Sequence, residues 1–174
     1  MTDAFAKLGL PRCAALEEEA LKSAWLERGR AAHPDQAGGN AELSAEINAA
    51  YELLREPESR LKHLLELEHA GDAAAWATVP MEESLMRVFM GLGPVLQKVE
   101  AHARKKQAAT SALAQALLAG EQMRAQEQVE EKLAELADLR EALEAELPGV
   151  DTLRAAGDAA AALERMRVLR AKFA

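Results

Sequence analysis

Cysteine is almost absent from this chain: Cys13 stands alone in 174 residues. No disulfide framework is possible within the chain, and a lone thiol fits a reducing compartment. Aromatic residues are scarce too, at 3%. With so few rings, Ala and Leu must do most of the packing, which favours close helix-on-helix contacts over a sandwich or barrel. A basic surplus is missing from both halves. Residues 1–70 carry 8 basic and 13 acidic groups and residues 71–174 carry 13 and 16, for a net charge of -8. Nothing in that balance suits a nucleic-acid partner. No long apolar run or signal-like segment occurs, so the expectation is a soluble, cytoplasmic protein without membrane contact. Also lacking are a phosphate loop, a nucleophile–base pair and a paired-acid signature, which gives no reason to expect an enzyme or a bound cofactor.

What is present is helical periodicity interrupted by breakers. Leu16, Leu21 and Trp25 recur at helical spacing, and so do Ile47, Ala50, Tyr51 and Leu54, with a stop at Glu56-Pro57. The stretch 71–80, with Gly71, Asp72, Thr78 and Pro80, is the expected boundary between a first domain over 1–72 and a second over 78–174. Trp76 within it is expected to plug the two parts together. Beyond Pro80 the pattern predicts a helix from Met81 to Met90, a break at Gly91-Leu92-Gly93-Pro94, a further pattern through Leu118, and a charged helix after Gly120 that Pro148-Gly149 stops. Asp151 or Asp158 then caps a last helix. From Val129, the residues Leu133, Leu136, Leu139, Leu143 and Leu147 form one apolar stripe. A single amphipathic helix is not stable alone, so the second part is expected to be an antiparallel bundle of three or four helices.

Between the first two periodic runs sits His33-Pro34-Asp35, followed by Gly38-Gly39. Pro34 has a fixed φ and no amide donor, and it biases His33 away from the helical region, so the loop is stiff and the helix ends sharply. Asp35 offers a carboxylate suited to a charge-assisted contact with a partner Arg, and His33 a planar ring that donates or accepts. Lys22, Arg28 and Arg30 on the preceding helix could form a small basic patch, interrupted by Glu27. Gly29 costs about 1 kcal/mol against Ala inside a helix, which suggests a close helix contact or a loosened end.

The order helix, His-Pro-Asp loop, helix resembles the J-domain of DnaJ co-chaperones over about residues 3–70. Phe5-Ala6-Lys7-Leu8-Gly9-Leu10, Leu21-Lys22-Ser23-Ala24-Trp25 and Glu46 through Leu54 are similar to the motifs of its opening turn, second helix and third helix. Leu54 through Leu67, and the closing segment from Ala159 to Leu169, resemble HscB, the J-protein of iron–sulfur cluster assembly, which pairs a J-domain with a C-terminal three-helix bundle. The resemblance implies binding to the ATPase domain of a DnaK-type chaperone through His33, Pro34 and Asp35 with Lys22, Arg28 and Arg30. It also implies a client surface on the first bundle helix, at Leu85, Met86, Phe89 and Met90, with an iron–sulfur scaffold protein as the client. Here the sequence departs from HscB, because Gly91-Leu92-Gly93-Pro94 replaces the charged continuation of that helix. Two other readings stay open: a general J-protein with an unrelated client, and a structural helical protein that uses Val129–Leu147 as a coiled-coil partner. His63, Glu66 and His69 on neighbouring turns are read as surface residues rather than metal ligands, and His102-Ala103-Arg104-Lys105-Lys106 as a solvated face.

Overall fold

The computed structural model describes residues 2–33, 40–109 and 111–174, and among these every regular element is helical. Among the described residues eight α-helices follow one another: α1 Ala4–Leu8, α2 Glu18–Ala32, α3 Ala41–Arg55, α4 Pro57–His69, α5 Glu83–Ala108, α6 Ala112–Glu144, α7 Leu147–Ala155 and α8 Ala159–Phe173, with a 3-10 turn at Ala73–Trp76. They divide into two compact units, 1–79 with 143–174, and 80–142.

In the first unit the helix ends are set by local chemistry. Asp3 accepts from the N–H groups of Phe5 at 3.0 Å and Ala6 at 3.3 Å, and Gly9 closes α1 with φ 73°, a left-handed conformation that glycine adopts without a Cβ penalty. Two acidic residues, Glu18 and Glu19, favour the positive end of α2. At the far end His33 is extended, with φ -59° and ψ 136°, as a residue preceding proline should be. Asn40 caps α3 by accepting the Leu43 N–H at 2.7 Å. Glu56 is extended before Pro57, which needs no amide donor in the first turn of α4.

Helix α4 is the centre of this unit. Pro57, Arg60, Leu61, His63, Leu64 and Leu65 are all buried, more of its circumference than one neighbour could cover, and it packs against α3 and α8. Fully burying each Leu contributes about 1.5–3 kcal/mol. From the other elements Phe5, Leu8, Leu54, Val150, Met166 and Leu169 complete the core. Buried Arg60 donates to the carbonyls of Ala14 (2.8 Å) and Leu54 (2.7 Å), so its charge is taken up by backbone dipoles. Buried His63 accepts the Ala4 N–H through Nε2 at 3.0 Å and stacks on Phe5, rather than lying on the surface as expected.

The C-terminal residues complete this unit instead of joining a bundle over 78–174. Asp151 on α7 accepts from Ala14 (2.8 Å) and Ala15 (2.8 Å), and Arg154 pairs with Glu68 while donating to the Arg12 carbonyl at 2.8 Å. Capping of α8 falls to Asp158, which accepts the Ala161 N–H at 3.1 Å. Trp76 meets the C-terminal helix α8, which belongs to its own compact unit. It is 40% exposed, and the Arg170 guanidinium of α8 lies 5.5 Å from its ring centre.

The second unit is a helical hairpin of two helices, not three or four. Lys98 reaches Gln128 (3.1 Å) and Lys105 reaches Glu121 (2.9 Å), which sets α5 antiparallel to α6. Neither expected break occurs: α5 runs through Pro94 and α6 through Gly120. Proline removes one main-chain bond and each glycine costs about 1 kcal/mol, losses spread over helices of 26 and 33 residues. Pro148 does not stop a helix but begins α7. Of the Leu stripe, Leu143 and Leu147 are buried, Leu136 and Leu139 half-buried, and only Leu133 largely exposed. Little of that stripe is left for a coiled-coil partner.

Candidate partner-binding site

Helices α2 and α3 lie antiparallel and are fastened near their loop end. Trp25 donates through Nε1 to Asn48 Oδ1 at 2.8 Å and stacks on Tyr51 with ring centres 4.8 Å apart, and Ser44 donates to the Ala32 carbonyl at 2.9 Å. Above these contacts is an open groove of about 440 Å³ lined by Trp25, Leu26, Gly29, Arg30, His33, Ser44 and Asn48. Leu26 is 41% exposed in it, a branched apolar side chain that the chain itself does not cover. Gly29 has no heavy atom within 4 Å of where a Cβ would sit, so of the two reasons expected for a glycine there, a close helix contact is not the one.

The sequence-derived site residues separate on this frame. Lys22, Leu26, Arg30 and His33 follow the three- and four-residue spacing of one helix face, which places Arg30 beside His33 in the groove and Lys22 two turns back. Arg28 points elsewhere: its guanidinium lies against Gly9, so close that a Cβ there would collide with it. Pro34 and Asp35 fall outside the described residues. Sequence reasoning missed Ser44 and Asn48. Their i, i+4 spacing on the face that carries Tyr51 was the available signal, but polar pairs at that spacing are common on solvated helices.

No family model matches the sequence, and no curated protein matches it.

On the second unit, Leu85 is half-buried while Met86, Phe89 and Met90 are exposed at 44%, 65% and 67%. No residue of α5 is fully buried. The run from His102 to Lys106 meets its own neighbours, with Arg104 bonded to Glu100 at 2.6 Å and Lys105 to Glu121. Among the described residues no helix is long and apolar enough to cross a membrane, and no three His, Cys, Asp or Glu side chains gather as a metal site. Cys13 is half-buried, and burial, with Asp151 adding to it, pushes its thiol pKa up and disfavours the thiolate.

Proposed function

We propose that this chain is a J-domain co-chaperone of the HscB type, which stimulates ATP hydrolysis by a DnaK-type chaperone and is not itself an enzyme. The observation that supports this most directly is the position of His33. It ends α2 in an extended conformation at the rim of the α2–α3 groove, beside Arg30 and uncovered Leu26. A partner ATPase domain docking there would meet an apolar floor, a guanidinium and an imidazole, with Pro34 and Asp35 next in sequence. By binding one conformation of the chaperone better than another, such a surface shifts it toward hydrolysis. The reacting groups belong to the partner, and no cofactor is required of this chain.

In this reading Leu85, Met86, Phe89 and Met90 receive the client, and the exposure of the last three supports a surface open to it. An iron–sulfur scaffold protein is the client the resemblance implies; an unrelated client would use the same adaptable Met-rich face. A lone, shielded thiol suits a cytoplasmic setting.

Single-turnover ATP hydrolysis by the cognate DnaK-type chaperone tests the proposal. The parent chain should accelerate it, and His33→Gln should abolish the acceleration while circular dichroism stays helical. Equal stimulation by the variant would end the co-chaperone reading.

A further inference from the structure

The cleft between α5 and α6 holds a histidine for which the hairpin supplies no partner. Lys98, His102 and Lys105 follow one face of α5 at spacings of four and three residues, and Glu121, Arg124 and Gln128 follow one face of α6 at three and four. All six line an open cleft of about 290 Å³. Lys98 reaches Gln128 at 3.1 Å and Lys105 reaches Glu121 at 2.9 Å, and the antiparallel register set by these two bonds puts Arg124 level with His102. Both ring nitrogens of His102 are shut off from solvent, and neither has a hydrogen-bond partner. Native structures satisfy nearly all such groups, because leaving one unmet is costly.

Charge in the cleft is out of balance as well. Glu121 is the one acid among the lining residues, against Lys98, Lys105 and Arg124. Lys105 uses that acid, whereas Lys98 meets a neutral amide and Arg124 turns its Nε to the Gly120 carbonyl at 3.2 Å. Bonds to neutral groups orient a cation without cancelling it. Lys105 by its hydrogen bond, with His102 and Arg124 acting by charge, holds the Glu121 carboxyl below the ordinary carboxylate range, so the single acid is already shared among the groups around it.

We propose that this cleft binds a small soluble dianion of the phosphate class, inorganic phosphate or a phosphate monoester, between His102 and Arg124. Of the three cations Glu121 answers one, and the two charges left over match a dianion. A tetrahedral oxyanion accepts from several directions at once, so it can take the imidazole from α5, the guanidinium from α6 and a lysine at either end. A metal ion would instead meet three like charges. The volume suits the anion with few further atoms, short of a larger ligand. Lys98 and Lys105 carry their charge on flexible stems, and as they turn to the anion the imidazole gains its partner. Held by both helices, the anion clamps the hairpin and raises its stability with ligand concentration. This site does not rest on the chaperone reading.

Nuclear magnetic resonance titration of the full chain with sodium phosphate, glycerol 3-phosphate, sodium sulfate and sodium acetate, at ionic strength held constant with sodium chloride, is the test. Saturable shifts are expected in the His102 ring and in amides on both sides of the cleft. Equal affinity for phosphate and its ester would show that the oxyanion alone is read, and tighter ester binding that the organic group is read too. Sulfate keeps its charge while an imidazole gains a proton between about pH 8 and pH 5, so sulfate should bind more tightly as pH falls. Lys98, Lys105, Glu121 and Arg124, the other charged groups facing the cleft, keep their charge over that range. His102→Gln should therefore abolish the pH dependence, and Arg124→Gln should weaken binding about tenfold by removing a charge-assisted hydrogen bond, with circular dichroism unchanged in both. No saturable shift, acetate binding as well as phosphate, or binding unaltered in both variants would overturn the proposal and leave an adventitious surface contact only. None of these outcomes touches ATPase stimulation through His33, so the two readings fail separately.

Discussion

Asp151 holds Ala14 by its backbone: the carboxylate on α7 accepts the Ala14 N–H from both oxygens, at 2.8 and 3.0 Å, across 137 residues of sequence. The Ala15 N–H meets the same carboxylate, and Arg154 approaches its other side at 3.0 Å. Two main-chain donors in the turn before α2 are thereby satisfied by the C-terminal segment, and an acid that sequence marks as a helix cap serves as a long-range clasp.

Asp151→Ala should cost about 2–4 kcal/mol, since hydrogen bonds to a charged group contribute about 1.5–3 kcal/mol each and two part-buried N–H groups lose their acceptor. Urea unfolding measures it. A loss below about 0.5 kcal/mol would mean that water replaces the carboxylate without penalty.

Two glycines should respond oppositely to alanine. Gly9→Ala places a Cβ at φ 73° and against the Arg28 guanidinium, so it should destabilise by about 1–2 kcal/mol. Gly120→Ala, inside α6 with open space around the new methyl, should stabilise by up to about 1 kcal/mol. Thermal melts of the two variants should move apart.

Acid should loosen α1. Burial raises the Asp3 pKa, but the Arg12 ion pair and the Ala6 and Phe5 N–H groups together outweigh it, and the net shift is downward from 3.8. A folded-state pKa below the unfolded one adds stability that is present above about pH 4 and is lost as pH falls through the folded value. Asp3→Asn should therefore be less stable than the parent at neutral pH, and the difference should shrink as pH drops below about 4. Urea midpoints taken from pH 7 downward follow the convergence; parallel curves would contradict it.

Under the co-chaperone reading, Arg30→Glu should reduce chaperone stimulation far more than Arg28→Glu, because Arg30 lines the groove with His33 while Arg28 is occupied at Gly9. Stimulation by the parent should also weaken with salt, as exposed charges are screened over about 8 Å at physiological ionic strength. Matched losses from both reversals would point to a diffuse field instead.

The legible parts of this fold were those written locally. Asn40 and Pro57 stand where helices start, and Ile47, Ala50 and Leu54 show a buried face by spacing alone. Illegible parts depend on packing at a distance. Gly91, Gly93 and Pro94 read as a break because their propensities are poor, yet α5 runs through all three. Pro148 carries the same residue type whether it ends one helix or opens the next. Of the candidate site, His33 and Arg30 could be found from sequence, but the separation of Arg28 could not. Its distance from the groove comes from where α1 ends, which no spacing within α2 encodes.

Because α4 buries its apolar surface partly against α8, the first unit is closed by residues that leave the ribosome long after those they cover. From the end of α4 to Leu143 the chain must grow by 74 residues (143 minus 69), which at 5–20 residues per second takes roughly 4–15 s. Throughout that interval Leu61, Leu64 and Leu65 lack the cover of α8, while α5 and then α6 are still being made. The N-terminal helices, although made earliest, are therefore sealed only by the residues made last.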